Sequence, residues 1–253
     1  MSSDALERLA PISLLDLVEA ADLQTRVDRK YVLSRSEAGP VLAALPALEV
    51  PPSLLEIDGA RSSEYESVYF DTPGLLSYRM AATSRRRRFK IRTRSYLDVG
   101  AAYLEVKTRG ARSTTVKDRL PYDFGRRTEL TPPAADYVDE ALTGLGLPAG
   151  RLDLGPTLVT RYRRATLHLP DTGSRATIDT ELAWEGDDGR ILRLPETVIV
   201  ETKSAARTSA VDRLLWRAGH RPSTVSKYGT GMAALHPGLP ANKWTRVLRR
   251  HFA

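Results

Sequence analysis

Polar and apolar positions alternate along much of this chain with a period of two. Over residues 89–96, Phe89, Ile91, Thr93 and Ser95 fall on one face, and Lys90, Arg92, Arg94 and Tyr96 on the other. Over 103–109, Leu104, Val106 and Thr108 alternate with Glu105, Lys107 and Arg109. Over 197–203, Val198, Val200 and Thr202 alternate with Ile199, Glu201 and Lys203. Residues 175–183 set Ala176, Ile178 and Leu182 against Arg175, Asp179 and Glu181. Residues 115–120 set Val116 and Leu120 against Lys117 and Arg119, with Asp118 blurring the pattern. Over 158–169, Val159, Ala165, Leu167 and Leu169 mark an apolar face opposite Thr160, Tyr162, Arg164 and His168; Arg161 and Arg163 are exceptions. The period predicts at least six strands, each with one apolar and one charged face.

Helical patterns are fewer. Residues 4–22 read as a short amphipathic opening segment broken near Pro11, and 36–45 as a helix ended by Pro46. Residues 73–82 and 226–236 read as short helices. Residues 132–142 carry Pro near the start and Gly144 after the end. Residues 208–218 have Thr208 as N-cap and Gly219 as the stop. No repeat of 20–50 residues is evident. The expected division is an N-terminal helical segment (1–24), one main domain (25–237) and a basic tail (238–253).

Composition narrows the chemistry. The 253 residues are 42% hydrophobic and 27% charged, a globular balance. Absence of cysteine excludes disulfides, zinc fingers, iron–sulfur clusters and thiol nucleophiles. The net charge of +7 favours an anionic partner: nucleic acid, a phosphate chain or a membrane surface. No run approaches 18 apolar residues, and Asp4, Glu7, Asp16 and Glu19 rule out a signal-peptide core near the start. A cytoplasmic location is expected.

Alternation alone fits an ordinary antiparallel sheet with its charged face in water. Two features point elsewhere. Lys90, Arg92 and Arg94 occupy successive same-face positions, where they repel one another unless an anion intervenes. Carboxylate and ammonium also recur two apart, as Glu105–Lys107 and Glu201–Lys203. A closed barrel would turn these faces toward one axis and make a cation-lined tunnel, with helices over the apolar outside. Such a lumen suits a polyanion. Carboxylates among phosphates suit a divalent cation, Mg²⁺ or Mn²⁺, with Glu201, Asp179 and Glu105 as candidates and Glu181 a weaker one. Phosphoryl transfer needs little beyond positioning and charge neutralisation. The two Glu–Lys pairs also fit cross-strand surface ion pairs. The run Arg85–Arg88 fits a tunnel mouth that steers anions. His168, His220, His236 and His251 have no metal spacing, and no Walker A, dinucleotide, zincin or GxSxG motif is present.

In order, the chain contains Arg26-Val-Asp28-Arg-Lys30-Tyr31, Val68-Tyr-Phe-Asp71-Thr, Lys90-Ile-Arg92-Thr-Arg94-Ser-Tyr and Tyr103-Leu-Glu105-Val-Lys107. Tyr162-Arg-Arg164-Ala, Arg175-Ala-Thr-Ile-Asp179, Val200-Glu201-Thr-Lys203 and Ser226-Lys227-Tyr228-Gly follow. This ordered set resembles the VTC (vacuolar transporter chaperone) polyphosphate polymerase domain, a branch of the CYTH-like triphosphate tunnel metalloenzymes. The resemblance implies an α+β fold: an antiparallel eight-stranded β-barrel tunnel with a charged lumen, flanked by helices. It also implies transfer of the ATP γ-phosphate to a growing polyphosphate chain. By motif, Lys30, Lys90, Arg92, Arg94, Lys107, Arg164, Lys203 and Lys227 would hold phosphates. Arg26, Tyr31, Lys117, Tyr162 and Tyr228 are the further substrate-binding candidates, with Tyr31 and Tyr228 bracing the tunnel ends or bonding phosphate. Glu201 would be the principal ligand of Mn²⁺ or Mg²⁺, with Glu105 and Asp179 as helpers.

Lysine usage agrees with this set. Only seven of the 38 basic residues are lysine, and Lys30, Lys90, Lys107, Lys203 and Lys227 all fall on matched positions. One departure matters. Relatives that hydrolyse triphosphate carry an ExExK strand, whereas Arg26-Val-Asp28-Arg-Lys30 lacks one carboxylate. Three activities stay open: polymerase, tripolyphosphate or nucleoside triphosphate hydrolase, and non-catalytic polyphosphate binder or sensor. The eukaryotic polymerase belongs to a membrane complex, so the tail, with Lys243, Trp244, Arg246, Arg249 and Arg250, either docks on a membrane-protein partner or packs as a basic helix on the barrel. Nucleic acid is the weakest partner reading, since four Phe and three Trp leave few stacking platforms beyond the ten Tyr.

Overall fold

The computed structural model describes residues 3–20, 27–109, 115–144, 146, 152–205 and 208–252. Its strands are β1 (Pro11–Ile12), β2 (Val27–Ser34), β3 (Ser53–Leu55), β4 (Ser63–Asp71), β5 (Arg88–Tyr96), β6 (Ala101–Arg109), β7 (Thr115–Tyr122), β8 (Gly155–Leu169), β9 (Ser174–Gly186), β10 (Ile191–Leu194) and β11 (Thr197–Ser204). The helices are α1 (Ser3–Glu7), α2 (Leu14–Ala20), α3 (Arg35–Ala43), α4 (Leu76–Ala82), α5 (Pro132–Thr143), α6 (Ala210–Arg217), α7 (Lys227–Leu235) and α8 (Thr245–His251). Each predicted strand and helix is present with shifted ends. Helix α6 begins one residue later than expected, because Ser209 rather than Thr208 caps it in a reciprocal box with Asp212.

The main path runs β2-β11-β9-β8-β4-β5-β6-β7, antiparallel at every step. Among the described residues no ladder joins β2 to β7, so the expected closed barrel is corrected to a curled open sheet. The edge strand β7 shows why. It is exposed along most of its length and carries Pro121, which cannot donate to a further ladder. The curl is nonetheless strong: Lys107 on β6 lies within the electrostatic reach of Asp28, Lys30 and Glu201 on the far strands.

Alternation along each strand gives the sheet two unlike faces. On the convex side, Leu33, Leu167, Ile178, Val198 and Val200 form one core with α1, α3 and α6. Val68, Phe70, Ile91, Leu104 and Val106 form a second with α5. Where no helix covers the convex face, Arg161 and Arg163 bond Glu66, Glu185 and Glu64. That resolves the two exceptions in the β8 pattern: their side chains leave the polar hollow and find partners outside.

The concave side departs from the uniformly charged lumen expected from the strands. At one end it is apolar, with Val32, Leu158, Leu182, Trp184 and Ile199 packed against α7 and α8 residues. The reason is local. A register shift in β8–β9 and a left-handed Glu181 (φ 54°) bring Leu182 and Trp184 into a cluster with Val32 and Ile199. Glu181 itself is exposed on this bulge, away from the other carboxylates. Trp244 of the basic tail is buried in the same cluster.

Glycine permits α7 to sit this close. A Cβ on Gly231 would lie 2.2 Å from Trp184, whose indole nitrogen donates to the Lys227 carbonyl at 2.9 Å. A Cβ on Gly229 would meet Trp244 at 2.3 Å. Gly231→Ala is therefore expected to destabilise the protein by about 1–3 kcal/mol through overpacking, despite a helix-propensity gain of about 1 kcal/mol. Urea unfolding midpoints of the two proteins measure this; a more stable variant would contradict the close-packed helix.

Candidate functional site

Away from the apolar end, the concave face gathers side chains from strands far apart in sequence. Cross-strand register fixes the set. Lys30 lies opposite Glu201, and Asp28 opposite Lys203. Asp179 lies opposite Arg164. Lys90 lies opposite Lys107, Arg92 opposite Glu105, and Glu105 opposite Arg119. Cations outnumber carboxylates here, and each carboxylate is shared among several.

Glu105 is 3% exposed and accepts from Arg92 at 2.6 and 2.8 Å and from Lys117 at 2.7 Å, with Arg94 at 3.7 Å. Asp179 is fully buried and accepts both arms of Arg164, at 2.6 and 2.8 Å, and the ammonium of Lys227. Burial pushes both carboxyl groups up, but their cations outweigh it and hold them below the usual range. Every oxygen of both carboxylates faces a cation, so in this arrangement they hold the cations in place.

Glu201 differs. Burial raises its carboxyl, but Lys203, Lys30 and Arg164 hold it well below the usual range. Lys30, at 2.7 Å, and Lys203 both bond Oε1. Oε2 has no hydrogen-bond or ion-pair partner among the described residues. One open carboxylate oxygen on the hollow fits a divalent cation whose other ligands come from substrate and water. The one cluster of three ligating groups among the described residues joins Asp187 and Asp188 of the β9–β10 turn to His236 at the end of α7, away from Glu201.

The remaining cations face the hollow with few partners. Lys90 donates to Ser226 Oγ at 2.9 Å and lies over the Tyr69 and Tyr228 rings. Burial, with Arg92 and Lys107 nearby, pushes its ammonium well down. Nε of Arg94 is buried without a partner. Lys107 is exposed within the concavity. Beyond Lys90 and Lys107, Arg88 faces Arg109 in the same ladder, so part of the four-arginine run extends this cationic row.

Several sequence candidates take other roles. Tyr31 is corrected from substrate contact to core: it points to the convex side and donates to Asp212 at 2.7 Å. Asp212, which the sequence patterns did not single out, is buried and also accepts from Thr202 at 2.7 Å and Ser209 at 2.9 Å. It ties α6 to β2 and β11, and its capping box with Ser209 was the legible signal. Tyr228 is likewise withheld from phosphate: its hydroxyl donates to buried Asp71 at 2.6 Å, so it braces α7. Asp71 also accepts from the Ser77 and Tyr78 amides at 2.9 Å, which explains that motif as a loop anchor. Tyr162 is on the concave face, stacked on Tyr65 at 5.3 Å under the Lys227 ammonium. Arg26 lies outside the described residues.

Comparison with known proteins agrees with this geometry. The VTC domain family matches residues 24–236. A putative adenylyl cyclase from Hippeastrum, described as having a dominant triphosphatase activity, superposes with a TM-score of 0.51 at 15% identity, covering 87% of this chain and 100% of that one. A putative adenylate cyclase from Bacillus halodurans gives 0.46 at 11% identity, covering 80% and 94%. No curated protein matches the chain. The family match spans every strand that contributes to the charged hollow, and the chain belongs to the VTC domain family.

Proposed function

We propose that this protein transfers the γ-phosphate of ATP to the end of a polyphosphate chain held in the hollow. The observation that carries this reading is the Lys90–Lys107 pair, directly opposed in the β5–β6 ladder with no carboxylate at ion-pair distance among the described residues. Burial and mutual repulsion make charging both ammonium groups costly here, which is why Lys90 is pushed down, and an anion between them would restore the charge on both. The orphaned Arg94 Nε asks for an acceptor in the same place. A row of phosphates supplies both needs.

Lys90, Arg92, Arg94 and Lys107 would bind the triphosphate oxygens on one wall, with Lys30, Lys203, Arg164 and Lys227 on the other. A terminal phosphate oxygen of the acceptor chain attacks the γ-phosphorus, the bond from that phosphorus to the β–γ bridging oxygen breaks, and ADP leaves. Fixed cations stabilise the charge that moves onto the leaving oxygen. Mn²⁺ or Mg²⁺ at Glu201 Oε2 would add charge neutralisation on the triphosphate.

The carboxylates favour a phosphate acceptor over water. Attack by water requires a base to take a proton. Glu105 and Asp179 are both held below the usual range by the cations they bind, and the second carboxylate of the hydrolase strand is missing beside Asp28. An ionised phosphate needs no proton removed.

With ATP and Mn²⁺, the purified protein is expected to release ADP and build phosphate chains visible on gels. Glu201→Gln should slow chain formation by roughly a hundredfold or more. Orthophosphate release without chains would replace transfer with hydrolysis, and an unimpaired Glu201→Gln would remove the metal role.

A second expectation concerns pH. Burial pushes the Lys203 ammonium down to about 8, with Glu201 opposing. Below that pH Lys203 is cationic and holds phosphate; above it the charge is lost. Tripolyphosphate affinity, followed by calorimetric titration, should therefore fall as pH rises through about 8. Lys203→Arg, charged throughout, should carry the fall to higher pH. A flat profile in the wild type would dismiss Lys203 as a phosphate ligand.

A further inference from the structure

At the end of the strands away from α7, the concave face carries an aromatic and guanidinium surface that the phosphate reading does not use. Tyr65 and Tyr96 are cross-strand partners on β4 and β5, their rings 4.9 Å apart. Tyr96 meets Tyr103 of β6 edge-on at 6.0 Å. Arg119 of β7 lies over the Tyr103 ring at 3.5 Å and reaches the Tyr96 hydroxyl at 3.5 Å. Tyr96 and Tyr103 are half-buried and Arg119 is exposed.

Arg119 is unlike the other cations of the hollow. Its cross-strand partner Glu105 is already taken by Arg92 and Lys117. Among the described residues it has no ion pair. Its guanidinium lies against the Tyr103 ring, with the Tyr96 ring at 5.9 Å, on a side chain that is otherwise exposed. A planar cation fixed in this way, beside tyrosine rings, is a stacking surface for a flat, electron-rich group.

Its position supplies the ligand. Arg94 and Tyr96 are consecutive same-face residues of β5, one step of about 7 Å apart. Tyr103 lies opposite Arg94 in the ladder. A phosphate on Arg94 would therefore leave the sugar that follows it at the tyrosines, and the base over Arg119.

We infer that Arg119, Tyr103 and Tyr96 form a nucleobase platform, so that the hollow prefers a nucleoside triphosphate to a bare phosphate chain as donor. This rests on the triphosphate reading above. Stacking gives no hydrogen-bond code, so purine triphosphates should bind alike and better than pyrimidine ones.

The test is calorimetric binding of ATP and of tripolyphosphate to the full chain, for wild type, Arg119→Lys and Tyr103→Leu. Arg119→Lys keeps the charge and loses the plane; Tyr103→Leu removes the ring that holds it. Wild type is expected to bind ATP more tightly than tripolyphosphate. Each variant should lose about tenfold or more in ATP affinity and stay within about twofold for tripolyphosphate. Equal losses for both ligands, or none for either, would overturn the platform. Wild type that binds tripolyphosphate as tightly as ATP would overturn it too, while leaving the triphosphate site intact. Wild type that binds neither would overturn the triphosphate reading itself.

Discussion

The sheet can hold its charged face together only because a few buried carboxylates are spread thinly among many cations. Glu105 serves Arg92 and Lys117, Asp179 serves Arg164 and Lys227, and Glu201 serves Lys30 and Lys203. Each link joins separate strands, or a strand to α7, except the Lys203 contact within β11. Removing a charge from water is costly, and only paired geometry with full hydrogen bonding repays it. The pairing therefore holds neighbouring strands together on the charged face, and the cations left over give the hollow its excess positive charge.

The three carboxylates divide the work unevenly. Two are saturated and act as scaffolding for guanidinium groups. The third keeps one oxygen open, and it lies on β11, the strand that pairs both β2 and β9. A cation-rich wall on β5–β6 faces this single open carboxylate across the concavity. On the proposed reading, that arrangement would neutralise a phosphate chain along its length and leave one place for a metal.

Apolar packing at the other end has a complementary role. Helix α7 is rooted by Trp184, Tyr228 and two close-approach glycines, and it delivers Ser226 to Lys90 and Lys227 to Asp179. Asp71 and Asp212 fix the flanking elements, each a buried carboxyl group that accepts from backbone amides and hydroxyls. Both make these contacts outside the hollow, yet they set the positions of residues within it.

Alternation with a period of two was enough to separate Lys90, Arg92 and Arg94 from Phe89, Ile91 and Thr93, because successive strand side chains must point to opposite faces. The same regularity made Glu105, Lys107, Glu201 and Lys203 legible as one charged set, and the ordered motifs identified the family. Closure depends on whether β2 and β7 meet; Pro121 marks β7 as an edge strand, but alternation alone does not say which edges pair. Nor does alternation give the fate of individual groups. Tyr31 and Lys30 are adjacent in the chain, yet one lies in the convex core and the other on Glu201. Glu105, Asp179 and Glu201 look equivalent as letters; only the number of cations that the fold brings to each distinguishes the two saturated anions from the open one.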